Sequence, residues 1–145
     1  MKIVIQRCRR ARVEVDGEIV GRIENGLAIF VGIAGGDDEK TAARMAQKIA
    51  GLRIFDNAEG KFDLSLRDAG GGALAIPNFT LCGDARKGAR PNFSGAAPPD
   101  AASLLFSRFV TLLRETGTPV ESGIFGAHMI VTVENDGPVT LILES

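Results

Sequence analysis

The chain has no tryptophan and no tyrosine, a single histidine and two cysteines among its 145 residues. Each scarcity removes a class of protein. A Ser-His-Asp triad needs a positioned imidazole base. The one candidate, His128, stands at the head of an apolar run that reads as a strand, and no serine lies in a Gly-x-Ser-x-Gly elbow. His128 is therefore expected to be non-catalytic. Cys8 and Cys82 lie far apart without Cys-x-x-Cys spacing, which argues against a disulfide framework or a zinc site. Two reduced thiols suit a cytoplasmic protein. No cluster of His, Cys, Asp or Glu has ligand spacing, so no metal is expected. Phosphate-loop and dinucleotide fingerprints are also missing, since Gly70-Gly71-Gly72 opens no helix, and no cofactor is expected. No run approaches the roughly 18 apolar residues of a membrane span. Met1 to Arg7 is too short an apolar stretch for a signal peptide, so no membrane partner is expected. Excess positive charge is lacking too. Lys and Arg total 17 against 18 Asp and Glu, and any contact with nucleic acid must come from local basic patches.

What is present is a globular composition, 45% apolar and 24% charged, at the length of one ordinary domain. Lys2 to Gln6 reads as a first strand, and Arg12 to Asp16 alternates as a second. Asp16-Gly17 is a hairpin signal leading to Ile19–Ile23, and Asn25-Gly26 is another turn. Leu27 to Ile33 is nearly all apolar, the pattern of a central strand buried on both faces. Asp37 or Asp38 can cap a helix over about Glu39 to Gly51, with Ala42, Met45, Ala46 and Ile49 inward. Leu52–Phe55 and Ala73–Ile76 read as strands. Pro77 to Pro99 reads as a long irregular loop, a length that usually signals function or disorder. A second helix follows Asp100, with Ala101, Leu104, Leu105, Phe109 and Leu112 sharing a face, stopped by Gly117 and Pro119. Met129–Val133 and Val139–Leu143 are two final strands joined by Asn135-Asp136-Gly137-Pro138. The order implies an α/β fold: a single layered domain over residues 1–145, with a mixed, largely antiparallel sheet and two main helices.

Two basic clusters stand out: Arg7, Arg9, Arg10 and Arg12 near the first strand, and Arg86, Lys87 and Arg90 in the long loop. Either alone reads as a solvated surface; together they suggest a phosphate-binding face. Phe79 and Phe93 flank the second cluster, where a phenyl ring can stack on a base, although a core role is commoner. The segment Pro77-Asn78-Phe79-Thr80-Leu81 leaves a buried strand, a natural place for backbone N–H groups to bind an oxyanion. The Asn135–Thr140 segment reads as a hairpin tip, or as a special turn in which Pro138 admits a cis bond.

Phe79-Thr80-Leu81 with Arg86-Lys87-Gly88-Ala89-Arg90-Pro91-Asn92-Phe93, then Asn135-Asp136-Gly137-Pro138-Val139-Thr140, resemble the paired signatures of the D-aminoacyl-tRNA deacylase (D-tyrosyl-tRNA deacylase) family. Met1–Arg7, Leu52–Phe55 and Gly123–Met129 match further segments, so the resemblance covers nearly the whole chain. It implies a cytoplasmic homodimer that hydrolyses the ester of D-aminoacyl-tRNA, and of glycyl-tRNA mischarged on alanine tRNA. It implies that Gly137 and Pro138, with the proline in cis, enter the other subunit's site and exclude L side chains. It further implies a substrate pocket drawing on Arg7, Asn78, Phe79, Phe125 and Met129, with Thr80 catalytic. One departure is Pro77-Asn78 where the family usually has Ser-Gln. A related branch that edits L-alanyl-tRNA carries proline at that first position, and this keeps L-alanyl editing open as an alternative. A non-enzymatic RNA-binding dimer is the other.

Overall fold

The computed structural model describes residues 1–145. Its frame is a single strand, β1 (Lys2–Val15), longer than the sequence suggests. The Ile/Val-rich start and the alternating stretch from Arg12 are one 14-residue element. Its first half pairs antiparallel with β3 (Gly26–Gly32) and its second half with β2 (Glu18–Ile23). Helix α1 (Glu39–Ala50) follows, then a short hairpin of β4 (Phe55–Asp56) and β5 (Phe62–Leu64), then β6 (Gly72–Pro77), which runs parallel to β3. After a 3₁₀ turn come α2 (Pro99–Glu115), β7 (Val120–Ser122) parallel to β6, and β8 (Ile130–Glu144) antiparallel to β1.

Strand alternation sends side chains to two cores. Ile3, Ile5, Leu27, Ile29, Val31, Ala73 and Ala75 face the helices and pack with Met45, Ile49, Phe106, Phe109 and Leu113. The opposite face gathers Cys8, Ala28, Leu74 and Ile76, joined by Ala11, Val13 and Ile23. Even positions of β1 serve that second core at Cys8 and odd ones at Ala11 and Val13. An irregularity in the pairing with β8 between Cys8 and Arg10 makes the change of parity possible, because an extra residue moves later side chains to the other face. The sheet curls around this second core: a Cβ on Gly21 of β2 would lie 2.9 Å from the Ser122 carbonyl of β7.

The helices follow elementary rules with one departure. Asp38 caps α1 by accepting from the Thr41 N–H at 2.8 Å, while Asp37 accepts from the Ala34 N–H instead. The buried face of α1 is Ala42, Met45, Ala46 and Ile49, as the spacing indicates. In α2, Pro98 is the N-cap and Pro99 occupies the first turn, where its missing N–H costs nothing. The inward face here is Ala102, Phe106, Phe109, Val110 and Leu113, and Leu104 is 75% exposed. Phe109 faces inward as expected, but the helix is rotated about it so that Phe106 and Leu113 are buried and Leu104 is not, which adds a second phenyl ring to the core. Leu105 and Leu112 are left flanking the core.

Two other expectations change. Leu52–Phe55 contributes only its last residue to the two-residue strand β4, and its partner Phe62–Leu64 is a strand with no signal of its own in the sequence. Asn135–Pro138 is not a hairpin tip. Residues on both sides of it pair with the same strand, β1, in the same direction, so β8 runs on through it.

Cys8 is fully buried in the second core, and burial pushes its thiol up to about 11. The folded state thus favours the neutral thiol. Its contribution is complete below the ordinary thiol range and is lost as pH rises towards about 11. Wild-type stability, followed by denaturant melts, is expected to fall more steeply above about pH 9 than that of Cys8→Ala. Identical pH profiles would place the thiol in a wetter site.

Candidate functional site

The site grows from a break in the β1–β8 ladder. Gln6 pairs with Thr140 and Cys8 with Asn135, so Arg7 alone faces the four residues Asp136, Gly137, Pro138 and Val139. The excess is extruded as a loop whose Gly137–Pro138 bond is cis. Asn135 closes its base. Its side-chain oxygen accepts from the Val139 N–H at 3.0 Å, and its amide donates to the Thr140 hydroxyl at 3.1 Å. Gly137 has φ +124°, a conformation glycine alone adopts readily. A Cβ there would lie 2.8 Å from Val139 Cγ2 and 3.4 Å from an Arg7 terminal nitrogen.

Arg7 is 6% exposed. By alternation it continues the inward row of Ile3 and Ile5, a place where a charge is costly unless every donor is met. The Nε–H donates to the Asp136 carbonyl at 3.3 Å and lies 3.4 Å from the Asp136 carboxylate. One terminal nitrogen donates to the Ile54 carbonyl at 2.8 Å and to the Asp56 carboxylate at 3.3 Å. The guanidinium carbon sits 5.3 Å from the centre of the Phe62 ring, a cation–π contact. Arg7 therefore holds the loop from behind. Neither Asp56 nor Phe62 stands out in the sequence. A Phe in a short polar hairpin reads as an ordinary strand residue, and only the fold brings it to an arginine near the N-terminus.

A second group gathers at the far end of β6. The Asn78 N–H donates to the Val31 carbonyl at 2.8 Å and thereby fixes the exit of the strand. Phe79–Cys82 form a 3₁₀ helix within the segment that reads as irregular. Such a turn leaves its first N–H groups, those of Phe79 and Thr80, without an acceptor inside the helix. The Thr80 hydroxyl donates to the Asn78 side-chain oxygen. The Phe79 and Phe93 rings stand edge to face, 5.3 Å apart, and both are exposed. Gly123 seats this group against Met129: a Cβ on it would lie 2.7 Å from Met129 Sδ and 3.4 Å from Pro77 Cδ. Phe125 packs against Phe106 of α2 at 6.4 Å and shares with Gly123 a shallow cavity of about 260 Å³.

The anticipated residues thus fall in two places. Arg7, Gly137 and Pro138 form one group, and Asn78, Phe79, Thr80 and Met129 form another. About three strand spacings and about five residues of rise separate them, roughly 20 Å along the sheet. No hydrogen bond joins them.

The basic clusters also separate. Arg9, Arg10 and Arg12 pair with Asp136, Glu134 and Glu14, so the first cluster is largely neutralised. In the second, Asp84 and Asn92 exchange backbone hydrogen bonds of 2.7 and 2.8 Å and project a short arm between them. Arg86 grips Asp84 with two hydrogen bonds and holds its carboxyl down to about 2. Lys87 and Arg90 are exposed on the same arm. No three His, Cys, Asp or Glu side chains converge, and no helix is long and apolar enough to cross a membrane.

Removing the Asn135 side chain as Asn135→Ala leaves the Val139 N–H without its acceptor. It is expected to cost about 1–2 kcal/mol in denaturant unfolding. A change below the error of the melt would show that the loop closes without it.

The family model described as D-Tyr-tRNA(Tyr) deacylase matches residues 4–144. The D-aminoacyl-tRNA deacylase of Geobacter metallireducens is 55% identical over 145 residues, 100% of this chain and 96% of that protein. That of Thermus aquaticus is 52% identical over 100% of this chain and 95% of its own length. Among solved structures, the c-Myc DNA Unwinding Element Binding Protein superposes with a TM-score of 0.95 at 39% identity, covering 100% of this chain and 99% of its own. A probable eukaryotic D-amino acid tRNA deacylase shares the fold, with a TM-score of 0.83 at 18% identity over 98% of this chain and 97% of its own.

Proposed function

The chain belongs to the D-Tyr-tRNA(Tyr) deacylase family, whose members hydrolyse an ester, and from that premise we propose how its own residues perform the reaction. It is a hydrolase that cleaves D-aminoacyl-tRNA to free D-amino acid and tRNA. Residues 1–145 act as one such domain, in the cytoplasm where charged tRNA is found. The observation that carries the mechanism is the separation of two groups that must meet on one substrate. In a single chain the cis Gly137–Pro138 loop and the Asn78–Thr80 turn lie far apart. A homodimer resolves this, because a two-fold axis brings the loop of each protomer to the turn of its partner. The outer edge of β8 is free of any partner strand, and Ile142 lies on it 71% exposed, a surface suited to such a contact.

In the composite pocket, Gly137 lets backbone approach the substrate's α-carbon, and the carbonyls around Pro138 receive its amino group. An L side chain meets backbone there, whereas a D side chain points to open space. Glycine has no side chain to exclude, so glycyl-tRNA mischarged on alanine tRNA is a substrate as well. Asn78 orients the turn, while Phe79, Phe125 and Met129 supply apolar walls towards the terminal adenosine. The exposed arm carrying Lys87 and Arg90 receives tRNA phosphates.

The chemistry asks little of side chains, since an aminoacyl ester is already activated. The Thr80 hydroxyl donates its hydrogen bond to the Asn78 amide oxygen, which is no base at neutral pH, so nothing there makes it a nucleophile. Thr80 is catalytic through its backbone. Its N–H and that of Phe79 stabilise the oxyanion, while the adenosine 2′-OH helps to activate water. The reaction written this way runs on positioning and fixed dipoles and calls on no cofactor.

Two experiments test this. Hydrolysis of D- and L-tyrosyl-tRNA by the purified protein is expected to show strong preference for D, with Thr80→Ala within about tenfold of wild type and Thr80→Pro, which loses the N–H, down by about a hundredfold or more. Equal cleavage of both enantiomers would favour the L-alanyl editing branch, and tRNA binding without turnover would favour an RNA-binding dimer. In the second, Gly137→Val and Thr80→Pro, each inactive alone, are unfolded together and refolded at equal concentration. About half the dimers are then mixed, and each contains one intact site, so about a quarter of wild-type activity returns. No recovery would refute the shared site.

A further inference from the structure

The hairpin of β4 and β5 is a distinct feature that the mechanism above leaves unused. Its two strands are short, and its turn is built by Asn57, whose side-chain oxygen accepts from the N–H groups of Glu59 and Lys61. The pairing register makes Asp56 and Phe62 direct cross-strand partners. Both reach Arg7: the Asp56 carboxylate lies 3.3 Å from a terminal nitrogen, and the guanidinium carbon lies over the Phe62 ring. Phe62 is 56% exposed, so burial of apolar area does not account for its place. What it does contact is the cation that holds Asp136, one residue before Gly137.

We infer that the β4–β5 hairpin is a specificity element, in which Asp56 and Phe62 position Arg7 and, through it, the Gly137–Pro138 loop that tells D- from L-aminoacyl esters. This rests on the functional reading above. The physical argument is one of constraint. A guanidinium is planar, and its hydrogen bonds fix it in only some directions. The bonds to Asp136 and Ile54 lie on its edge and resist sliding within its plane. The Phe62 ring beneath the guanidinium carbon adds a contact that is not one of its hydrogen bonds, and the Asp56 carboxylate ties down a terminal nitrogen, at the end of the side chain away from β1. With both gone, the Asp136 carbonyl remains bonded to a group free to rock. Steric exclusion of an L side chain depends on backbone placed within about an ångström, and a small shift there opens the room that an L side chain needs. Asp56 and Phe62 are thus positioning residues that act through Arg7.

The test compares kcat/KM for D- and L-tyrosyl-tRNA in Phe62→Leu, Asp56→Asn and the double variant. The D/L ratio is expected to fall about tenfold in the double variant and about threefold in each single one, mainly because L cleavage rises. Phe62→Tyr keeps a π face and is expected to restore the wild-type ratio. Lys61→Ala, at the hairpin tip and away from Arg7, is expected to change nothing. A second readout is direct: hydrogen exchange of the Arg7 Nε–H, followed by NMR, is expected to quicken in the same variants. Should the double variant fail to fold, Phe62→Leu, which removes no hydrogen bond, carries the test. An unchanged D/L ratio with unchanged Arg7 exchange in a folded Phe62→Leu protein would overturn the inference while leaving the deacylase reading intact. A wild type that cleaves neither ester would overturn that reading, and this inference with it.

Discussion

The structure turns on one buried cation. Arg7 occupies a position that strand alternation would assign to an aliphatic residue, and the cost of burying its charge is offset by the carbonyls and carboxylates around its Nε and one terminal nitrogen. Its partners come from two separate parts of the chain: the segment that runs from the Ile54 carbonyl into the β4–β5 hairpin, and the loop at Asp136. Each is held partly by the need to satisfy the same guanidinium. A charge in this place does what a leucine could not, which is to fix the directions of backbone groups as well as their distance.

The remainder of the fold gives that cation a rigid floor. Two cores, one on each face of the sheet, lock β1 against β3 and β6. The four residues opposite Arg7 all belong to β8, the edge strand, where extra residues can leave the ladder while β1 itself carries a single extra residue between Cys8 and Arg10. The loop projects outward because the ladder resumes on both sides of it. Asn135 supplies from its side chain the hydrogen bonds that the missing ladder pairs would have made.

The second group rests on a different logic. The turn after β6 follows from the end of a parallel pairing with β3, and the Val31 carbonyl sets its first residue. Its exposed amides and hydroxyl are polar groups on firm backbone, suited to binding and to fixed electrostatics rather than to proton transfer. That character suits the mechanism proposed for this chain, which has one exposed histidine and no metal-ligand cluster.

Much of this was legible in the amino-acid order, and the reason is locality. The buried face of α1, the central strand β3 and the break before β6 all follow from spacing and turn chemistry within a few residues. The family resemblance rests likewise on short segments in a fixed order. The tertiary structure decided whatever depends on residues distant in sequence. It merged two apparent strands into β1, since neither half shows that one partner strand spans both. It turned α2 about Phe109 so that Phe106 also faces inward and Leu104 does not. It made Asn135–Pro138 a bulge rather than a hairpin, because the direction of the chain after Pro138 is fixed by pairing with residues near the N-terminus. It brought Asp56 and Phe62 to Arg7, and left Phe79 and Thr80 far from Gly137. Contacts of that range depend on how whole strands stack, and no periodicity in a window of residues records it.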